Sequence, residues 1–229
     1  PVEDGAAISN RITLGTDWTR ASGDVPAGAD FDRWRNPRTP TGIADHRLGA
    51  TRQCVATGAA ALTAADVVAT LRHHGERPWG APGTGPGDVS LPPAEVQDDW
   101  RGVTVCMHVR GYQGTTASMV TELPVDHGAP LRAWIALGSP CVSVYVPAFP
   151  PAAVTPELSD PANWSRFAAL RERVERDGSE LGAIREVLAP IEGELWAEAD
   201  ESCADPHRRA GFAAGAWGRV DAGLAELGV

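Results

Sequence analysis

The amino-acid sequence predicts an α+β fold in which a group of central strands is followed by a helical C-terminal region. Four apolar, β-branched runs of strand length lie in the middle of the chain, at residues 103–109, 115–123, 131–137 and 141–146. Because their connections are short, we expect consecutive antiparallel pairing. After Pro150-Pro151 the apolar spacing changes to that of helices. We therefore divide the chain into residues 1–150 and a helical region, residues 151–229, that packs on the same domain.

Three helices are predicted in the C-terminal region. Asp205-Pro206 is a favourable N-cap and first-turn pair for the last of them. Aromatic stripes at this spacing are usually core rather than ligand sites. The apolar residues at helical spacing are Trp164, Phe167, Leu170 and Val174, then Ile184, Val187, Leu188, Ile191 and Leu195, then Trp217, Val220, Leu224 and Leu227.

The earlier half of the chain has fewer regular signals. Residues 8–16 are rich in β-branched residues and predict a short strand, whereas residues 17–50 predict loop with one short helix at most. Residues 51–74 predict helix, with a start signal at Thr63 and cationic groups near the end. The glycine- and proline-rich residues 80–93 predict a surface connection.

Composition excludes several classes of function. The formal net charge is −10, and all 20 basic residues are arginine. Without lysine there is no Schiff-base enzyme, no pyridoxal-phosphate enzyme, no Ser-Lys hydrolase and no Walker P-loop. Without a basic stripe, nucleic acid is not an expected partner.

The sequence predicts neither a membrane protein nor a disulfide-stabilised one. No apolar run approaches the roughly 18 residues of a membrane helix, and the start shows no signal-peptide pattern. The four cysteines form no C-x-x-C motif, and a chain of this size does not need disulfides, so we expect reduced thiols. A cytoplasmic location is the corresponding expectation.

Cys106 and His108 stand two residues apart in an apolar run and raise the question of a reactive site. In a strand the two side chains share a face but run roughly parallel, so they seldom come within hydrogen-bonding distance. A zinc site needs three or four ligands, and the other histidines are scattered along the sequence. We therefore interpret both residues as structural and expect no metal and no cofactor.

Several ordered segments resemble the later half of the secernin and bacterial dipeptidase-A group, which are cysteine-type N-terminal-nucleophile (Ntn) hydrolases. The segments are Ile8-Ser9-Asn10-Arg11, Thr16-Asp17-Trp18, Arg52-Gln53, residues 105–108 and 114–120, Trp134, residues 138–144 and Pro147. The resemblance covers about residues 8–150, and it extends loosely to the helical region.

The resemblance implies a partial four-layer αββα sandwich and an amide hydrolase, with dipeptidase activity on small peptides. In such enzymes the nucleophile is a cysteine exposed as the first residue when a leader is removed. Its own α-amine, with a pKa near ~8, is the general base. Residue 1 here is proline, so we expect the nucleophile half to lie outside this chain. The expected partners are that half, a small peptide or amide substrate and, as one option, further copies of the chain.

Two site residues follow from the resemblance. Asn10 corresponds to a strand asparagine whose amide helps to stabilise the oxyanion of the tetrahedral intermediate. Arg52 corresponds to a helix-borne arginine near the nucleophile, where a fixed cation favours the thiolate and binds anionic substrate groups. Without the resemblance, both would be interpreted as ordinary strand-edge and helix-surface residues.

Three alternatives stay open on the sequence. The chain is a non-enzymatic, secernin-like protein if no nucleophile exists upstream. It is an acyltransferase or amidase of the wider superfamily if its substrate is another amide. A metal-binding module that uses Cys106 and His108 ranks last, because the sequence shows no further ligands near them.

Overall fold

The structure is a computed structural model that describes residues 5–9, 11–34, 41–56, 62–74, 104–109, 113–124, 126 and 128–229. Within these residues the chain forms five α-helices, a two-stranded sheet and a three-stranded antiparallel sheet. The predicted α+β class is therefore confirmed. No helix among the described residues is long and apolar enough to cross a membrane.

The central strands precede the three C-terminal helices, as the sequence predicts, and two helices precede the strands. The helices are α1 (Thr41–Ala56), α2 (Ala64–Leu71), α3 (Pro161–Arg176), α4 (Glu180–Ser202) and α5 (Pro206–Glu226). The strands are β1 (His108–Val109), β2 (Gln113–Gly114), β3 (Ala117–Glu122), β4 (Arg132–Leu137) and β5 (Val146–Ala148).

The larger sheet has the order β3-β4-β5, and both pairs are antiparallel. Val120 pairs with Trp134, and Ile135 pairs with Val146. Consecutive antiparallel pairing is thereby confirmed for β3 and β4, and β5 continues it, although β5 shares only Val146 with the strand predicted at residues 141–146. The short pair β1-β2 precedes them, with His108 opposite Gly114.

The predicted strand at residues 141–146 is wrong over most of its length. Residues Pro140–Val142 form a 3-10 turn, and β5 begins only at Val146. Gly138 has a φ of +73°, so the chain leaves β4 in a left-handed conformation before the proline starts the turn. The run is buried throughout and apolar at every position except Ser143, and periodicity alone cannot distinguish a buried turn from a buried strand.

Two further strand predictions also differ from the structure. Within the described residues 104–109 of the run predicted at 103–109, a strand forms only at β1, and residues 104–106 bend. The described residues 5–9 and 11–34 contain no strand, so the strand predicted at residues 8–16 is not formed there. The predicted loop at residues 80–93 lies outside the described residues.

The region predicted as one helix, residues 51–74, contains the end of α1 and the whole of α2. Thr63 caps α2 as predicted: its hydroxyl accepts a hydrogen bond from the Asp66 amide, and the Asp66 carboxylate accepts one from the Thr63 amide. The sequence analysis missed most of α1. Its buried positions Ala44 and Leu48 lie one turn apart, but the surrounding prolines and glycines indicated loop.

The two faces of the three-stranded sheet belong to two hydrophobic clusters. On one face, Val120 and Trp134 pack with Val68 of α2. On the other face, Leu137 and Val146 join a larger cluster with residues of α3, α4 and α5. The helices of residues 151–229 therefore share their core with the sheet.

Two of the three C-terminal helices, α3 and α5, begin at an aspartate followed by proline. Asp160 and Asp205 are the N-caps of α3 and α5, and each carboxylate accepts a hydrogen bond from a backbone amide two residues later. Pro161 and Pro206 occupy the first helical positions, where the missing N–H costs nothing. The predicted helical stripes are buried at Phe167 and elsewhere along all three helices.

Gly138→Ala is expected to lower the free energy of unfolding by about 1–3 kcal/mol, because alanine disfavours a positive φ and the new methyl group meets a neighbour. A Cβ built at Gly138 lies 2.8 Å from the Cβ of Phe167, which is too close for a real contact. Denaturant unfolding monitored by circular dichroism measures the loss.

Gly193→Ala is the matched control for this prediction. Gly193 lies within α4, and nothing stands within 4 Å of a Cβ built there. Because alanine is the better helix former, this variant should gain roughly 0.5–1 kcal/mol. Equal unfolding midpoints for the two variants would contradict the turn geometry at Gly138.

Candidate functional site

Four side chains that lie far apart in the sequence meet in the interior of the protein. They are His74, Cys106, His108 and Cys141, and one ligand atom of each lies within 4.8 Å of all the others. We call these four residues the Cys/His cluster. His74 follows the end of α2, Cys106 and His108 precede or begin β1, and Cys141 lies in the turn Pro140–Val142. The cluster therefore joins three separate parts of the chain.

The end of α2 fixes His74 beside the segment that carries Cys106. The helix ends at Leu71, and the backbone turns through Arg72 and His73. The His73 carbonyl then accepts a hydrogen bond from the Cys106 amide at 3.1 Å. The imidazole rings of His74 and His108 consequently lie with their centroids 5.4 Å apart.

Cys106 and His108 do come together, which corrects the expectation from strand geometry. The Cys106 Sγ lies 3.4 Å from His108 Nε2. The segment before β1 bends instead of continuing as a strand, and the Thr104 hydroxyl donates to the Cys106 carbonyl at 2.6 Å. Because the two residues are not on one regular strand, their side chains need not run parallel.

Cys141 is held by polar contacts at both ends of its turn. Arg72 Nε donates to the Pro140 carbonyl at 2.9 Å, and Arg185 Nη1 donates to the Ser143 carbonyl at 2.7 Å. Arg72 also forms a bidentate ion pair with Glu192. The Cys141 Sγ is thereby positioned 3.4 Å from His108 Nε2, the same distance as Cys106 Sγ.

Glu175 of α3 orients the His108 ring from the other side. Its Oε1 lies 3.1 Å from His108 Nδ1, and both residues are buried. Since a carboxylate only accepts hydrogen bonds, the proton is on Nδ1. The Nε2 lone pair of a neutral His108 is then directed at the two sulfur atoms.

The environment separates the two thiols in acidity. Burial acts to raise the pKa of Cys106, but hydrogen bonds with Cys141, His108 and His74 outweigh it and hold that pKa well below its ordinary value. Burial and the neighbouring Cys106 raise the pKa of Cys141 well above its ordinary value. Burial also lowers the pKa of His74. The environment therefore favours the thiolate form at Cys106 and the thiol form at Cys141.

The chemistry open to this cluster is limited by its burial. Cys106 is 0% exposed and Cys141 is 3% exposed, so a peptide substrate cannot reach either sulfur as the protein stands. Neither of these two cysteines forms a disulfide bond. Two sulfur and two nitrogen donors at these separations could hold a metal ion, and the expectation of no metal had rested on the absence of such a cluster in the sequence.

A second concave region lies on the α2 side of the sheet. It is an open groove of about 680 Å³ between α2, β3, β4 and α4. Trp134 and Trp196 form its apolar wall, with ring centroids 5.5 Å apart. Arg132 stacks 4.6 Å above the Trp134 ring and donates to Glu122 and Asp200. The charged groups at this groove pair with one another.

Of the two site residues that the family resemblance implied, only Arg52 lies in the part of the chain that the structure describes. Arg52 is exposed on α1, and Asn10 lies outside the described residues. Arg47, more than one turn before Arg52, contacts the segment that carries Cys106, since its Nε donates to the Thr104 carbonyl at 3.0 Å. The catalytic roles of Asn10 and Arg52 stay predictions.

The sequence analysis missed His74, Cys141 and Glu175 as members or neighbours of a site. The usable signals were weak. His74 stood in a His-His pair at a predicted helix end, and Cys141 stood after Gly-Ser-Pro, a turn-forming sequence. Neither signal indicates that His74 and Cys141 meet, because their spacing in the sequence matches no compact zinc-binding motif.

Comparison with known proteins does not assign this geometry to a family. No family model, no curated protein and no solved structure matches the chain.

Proposed function

We propose that this chain is part of a cysteine-type Ntn amide hydrolase, a dipeptidase that cleaves small peptides, whose N-terminal cysteine nucleophile lies outside the chain. One observation carries the proposal. The segments that resemble the secernin and dipeptidase-A group occur in the same order as in that group, from Asn10 through Arg52 to residues 138–144. An order maintained over so long a span is more specific than any single motif.

Contacts between these segments support the proposal. The Thr115 hydroxyl accepts a hydrogen bond from the Met107 amide at 2.9 Å. The Ser139 hydroxyl donates to the Thr115 carbonyl at 2.9 Å, and the Gly138 amide donates to the Thr116 carbonyl at the same distance. The three later segments therefore pack against one another, as parts of one inherited core would.

The proposal includes a four-layer αββα sandwich. In it, the helices of residues 151–229 form the outer helical layer on one face of the sheet β3-β4-β5, whereas α2 packs on part of the other face. The exposed side chains of Met119 on β3 and Leu123 just after it, at 63% and 77%, are consistent with further packing beside this strand.

The proposed mechanism assigns each group a separate task. The N-terminal amine of the nucleophile half takes the proton of its own thiol, and the thiolate attacks the amide carbonyl. The Asn10 amide donates a hydrogen bond to the oxygen as negative charge develops on it. The exposed guanidinium of Arg52 binds an anionic substrate group. Cys106 does not act as the nucleophile because it is fully buried.

The test restores the nucleophile half and compares two variants of the complete enzyme. Asn10→Ala should lower kcat by ~100-fold or more with KM nearly unchanged, because an oxyanion donor acts mainly in the transition state. Arg52→Ala should mainly raise KM. Arg20→Ala, which removes another exposed arginine, is the control and should change neither constant. Steady-state dipeptide hydrolysis and thermal melting are measured together.

Three results would contradict this proposal. The first is full turnover of Asn10→Ala, or an effect of that variant on melting alone. The second is dipeptide hydrolysis by the pure chain that Cys106→Ala abolishes, since Cys106 would then be the nucleophile. The third is an upstream coding sequence without a cysteine after a leader, which would favour the non-enzymatic, secernin-like alternative.

A further inference from the structure

We propose that His74, Cys106, His108 and Cys141 bind one zinc ion in a closed, tetrahedral site that stabilises the fold. This inference goes beyond the proposed hydrolase function and does not depend on it. It rests on the geometry of the donor atoms, on the charge balance of a buried site, and on the carboxylate behind His108.

The separations between donor atoms match those of a tetrahedral zinc site. With Zn–S near ~2.3 Å and Zn–N near ~2.05 Å, sulfur and nitrogen ligands of one ion lie ~3.5 Å apart. Cys106 Sγ and Cys141 Sγ each lie 3.4 Å from His108 Nε2. All four donor atoms lie within 4.8 Å of one another, so small side-chain rotations would bring the remaining donor–donor distances to tetrahedral values.

The two imidazole rings agree with this geometry independently. Two imidazoles bound to one tetrahedral zinc ion through ring nitrogens have their centroids ~5.2 Å apart. The centroids of His74 and His108 are 5.4 Å apart, and the rings are tilted by 52°.

Charge balance favours zinc in this interior. A divalent ion with two thiolates and two neutral imidazoles has no net charge, so its burial avoids the penalty of an isolated charge. Cys106, His108 and Cys141 are all at most 3% exposed. Zinc binds both cysteines as thiolates, so any proton on either sulfur passes to solvent as the two Zn–S bonds form.

The carboxylate behind His108 is an arrangement typical of metal sites. Glu175 Oε1 lies 3.1 Å from His108 Nδ1, and Arg171 Nε lies 3.5 Å from the same oxygen. Such a carboxylate fixes the tautomer and makes the imidazole a stronger ligand. The arrangement leaves Nε2 as the donor atom facing the two sulfurs.

The donor set selects the metal and its role. Two sulfurs and two nitrogens in tetrahedral geometry suit zinc, whereas Mg²⁺ and Ca²⁺ prefer oxygen. A [2Fe–2S] cluster with two Cys and two His ligands holds the sulfurs and the nitrogens on different irons, whereas here both sulfur atoms lie 3.4 Å from His108 Nε2. Four protein ligands leave no position for water or substrate, which is the pattern of structural rather than catalytic zinc. The ion would join the end of α2, the segment before β1 and the turn Pro140–Val142.

The first experiment measures the metal content of the full, tag-free chain purified without chelator. One equivalent of zinc per chain is expected. Replacement by Co²⁺ should give the intense visible absorption of a tetrahedral site together with a thiolate-to-cobalt charge-transfer band. Cys141→Ser should lose the bound metal, or change the cobalt spectrum to that of a single-thiolate site.

Matched variants distinguish this site from adventitious binding. Cys54→Ser and Cys203→Ser remove the two cysteines outside the cluster and should retain one equivalent of zinc. His207→Ala, at an exposed histidine, should also retain it. The cobalt spectrum of the unmutated chain keeps the test valid even if a cluster variant does not fold.

A second experiment examines Glu175 as a positioning residue. Glu175→Gln should weaken zinc affinity by about 10–100-fold, because the imidazole loses its anionic partner. Glu172→Gln, at an exposed position of the same helix, is the control and should leave affinity unchanged. Competition with a chromophoric chelator measures both dissociation constants.

Each of three results would overturn the zinc site. One is a folded, unmutated chain that takes up neither Zn²⁺ nor Co²⁺. Another is metal that disappears in Cys54→Ser or Cys203→Ser but persists in Cys141→Ser. A third is a cobalt spectrum without thiolate charge transfer. None of these results bears on Asn10, Arg52 or dipeptide hydrolysis, so failure of the site and failure of the proposed function can be distinguished.

Discussion

Glu192→Ala is expected to lower the free energy of unfolding by about 3–5 kcal/mol, because it leaves a largely buried cation without its partner. The Glu192 carboxylate accepts two hydrogen bonds from Arg72, at 2.8 and 2.6 Å, and one from the Tyr145 amide at 2.7 Å. Arg185 Nη2 also lies 3.5 Å from the Glu192 Oε1 atom. The side chains of Arg72 and Glu192 are only 20% and 12% exposed, so water cannot replace the lost contacts fully.

The position of this ion pair increases the expected effect. Arg72 also donates to the Pro140 and Ser143 carbonyls, and these residues flank Cys141. Loss of Glu192 should therefore loosen the turn that carries one of the four cluster residues. Zinc binding, measured by cobalt absorption, should weaken in the same variant.

Denaturant unfolding of Glu192→Ala and Glu194→Ala forms the matched comparison. Glu194 is exposed on the same helix, so its replacement should change the free energy of unfolding by less than about 0.5 kcal/mol. A cycle with Arg72→Met should give a coupling energy of about 1–3 kcal/mol between the two residues. Equal stabilities of the two glutamate variants would show that the ion pair is not formed.

Phe167→Ala is expected to lower the free energy of unfolding by about 3–5 kcal/mol, because a buried aromatic ring is replaced by a cavity. Phe167 lies on α3 and is 1% exposed. The Phe167 and Trp217 rings pack edge to face, with their centroids 6.4 Å apart. The Phe167 Cβ lies against Gly138, which follows β4. One side chain thus connects the C-terminal helices to the sheet.

This substitution also tests whether sheet and helices unfold together. Far-UV circular dichroism monitors the helices, and tryptophan fluorescence monitors the packed rings. The two transitions should coincide before and after the substitution, since both elements share one cluster. Leu123→Ala, at a side chain 77% exposed, is the control and should change stability little. Separate transitions would indicate that residues 151–229 fold as an independent unit.

Local signals in the sequence were sufficient for the C-terminal helices. Asp160 and Asp205 precede prolines and accept hydrogen bonds from backbone amides within the next three residues. Caps and helical periodicity act within one or two turns, so a single segment contains the information. The same holds for the Thr63 cap of α2. Antiparallel pairing of β3, β4 and β5 was also predictable, because short connections allow few other arrangements.

Predictions failed where burial removed the periodic pattern. The run from Cys141 to Val146 is apolar at nearly every position because it is surrounded by protein on all sides, and it forms a turn before β5. In α1 the nearby prolines and glycines indicated a loop, although Ala44 and Leu48 are buried one helical turn apart. In both cases contacts from elsewhere in the chain decide the conformation.

By itself, the sequence determined the α+β class, the starts of the capped helices and the exclusion of lysine-dependent chemistry, because these depend on composition or on neighbours within a few residues. Only the tertiary structure brought His74, Cys106, His108 and Cys141 together and directed Glu175 at His108. The physical reason is distance along the chain. A helix end, a bent segment and a turn meet because the hydrophobic clusters on the two faces of the sheet pack them there, and no spacing within one segment encodes that meeting.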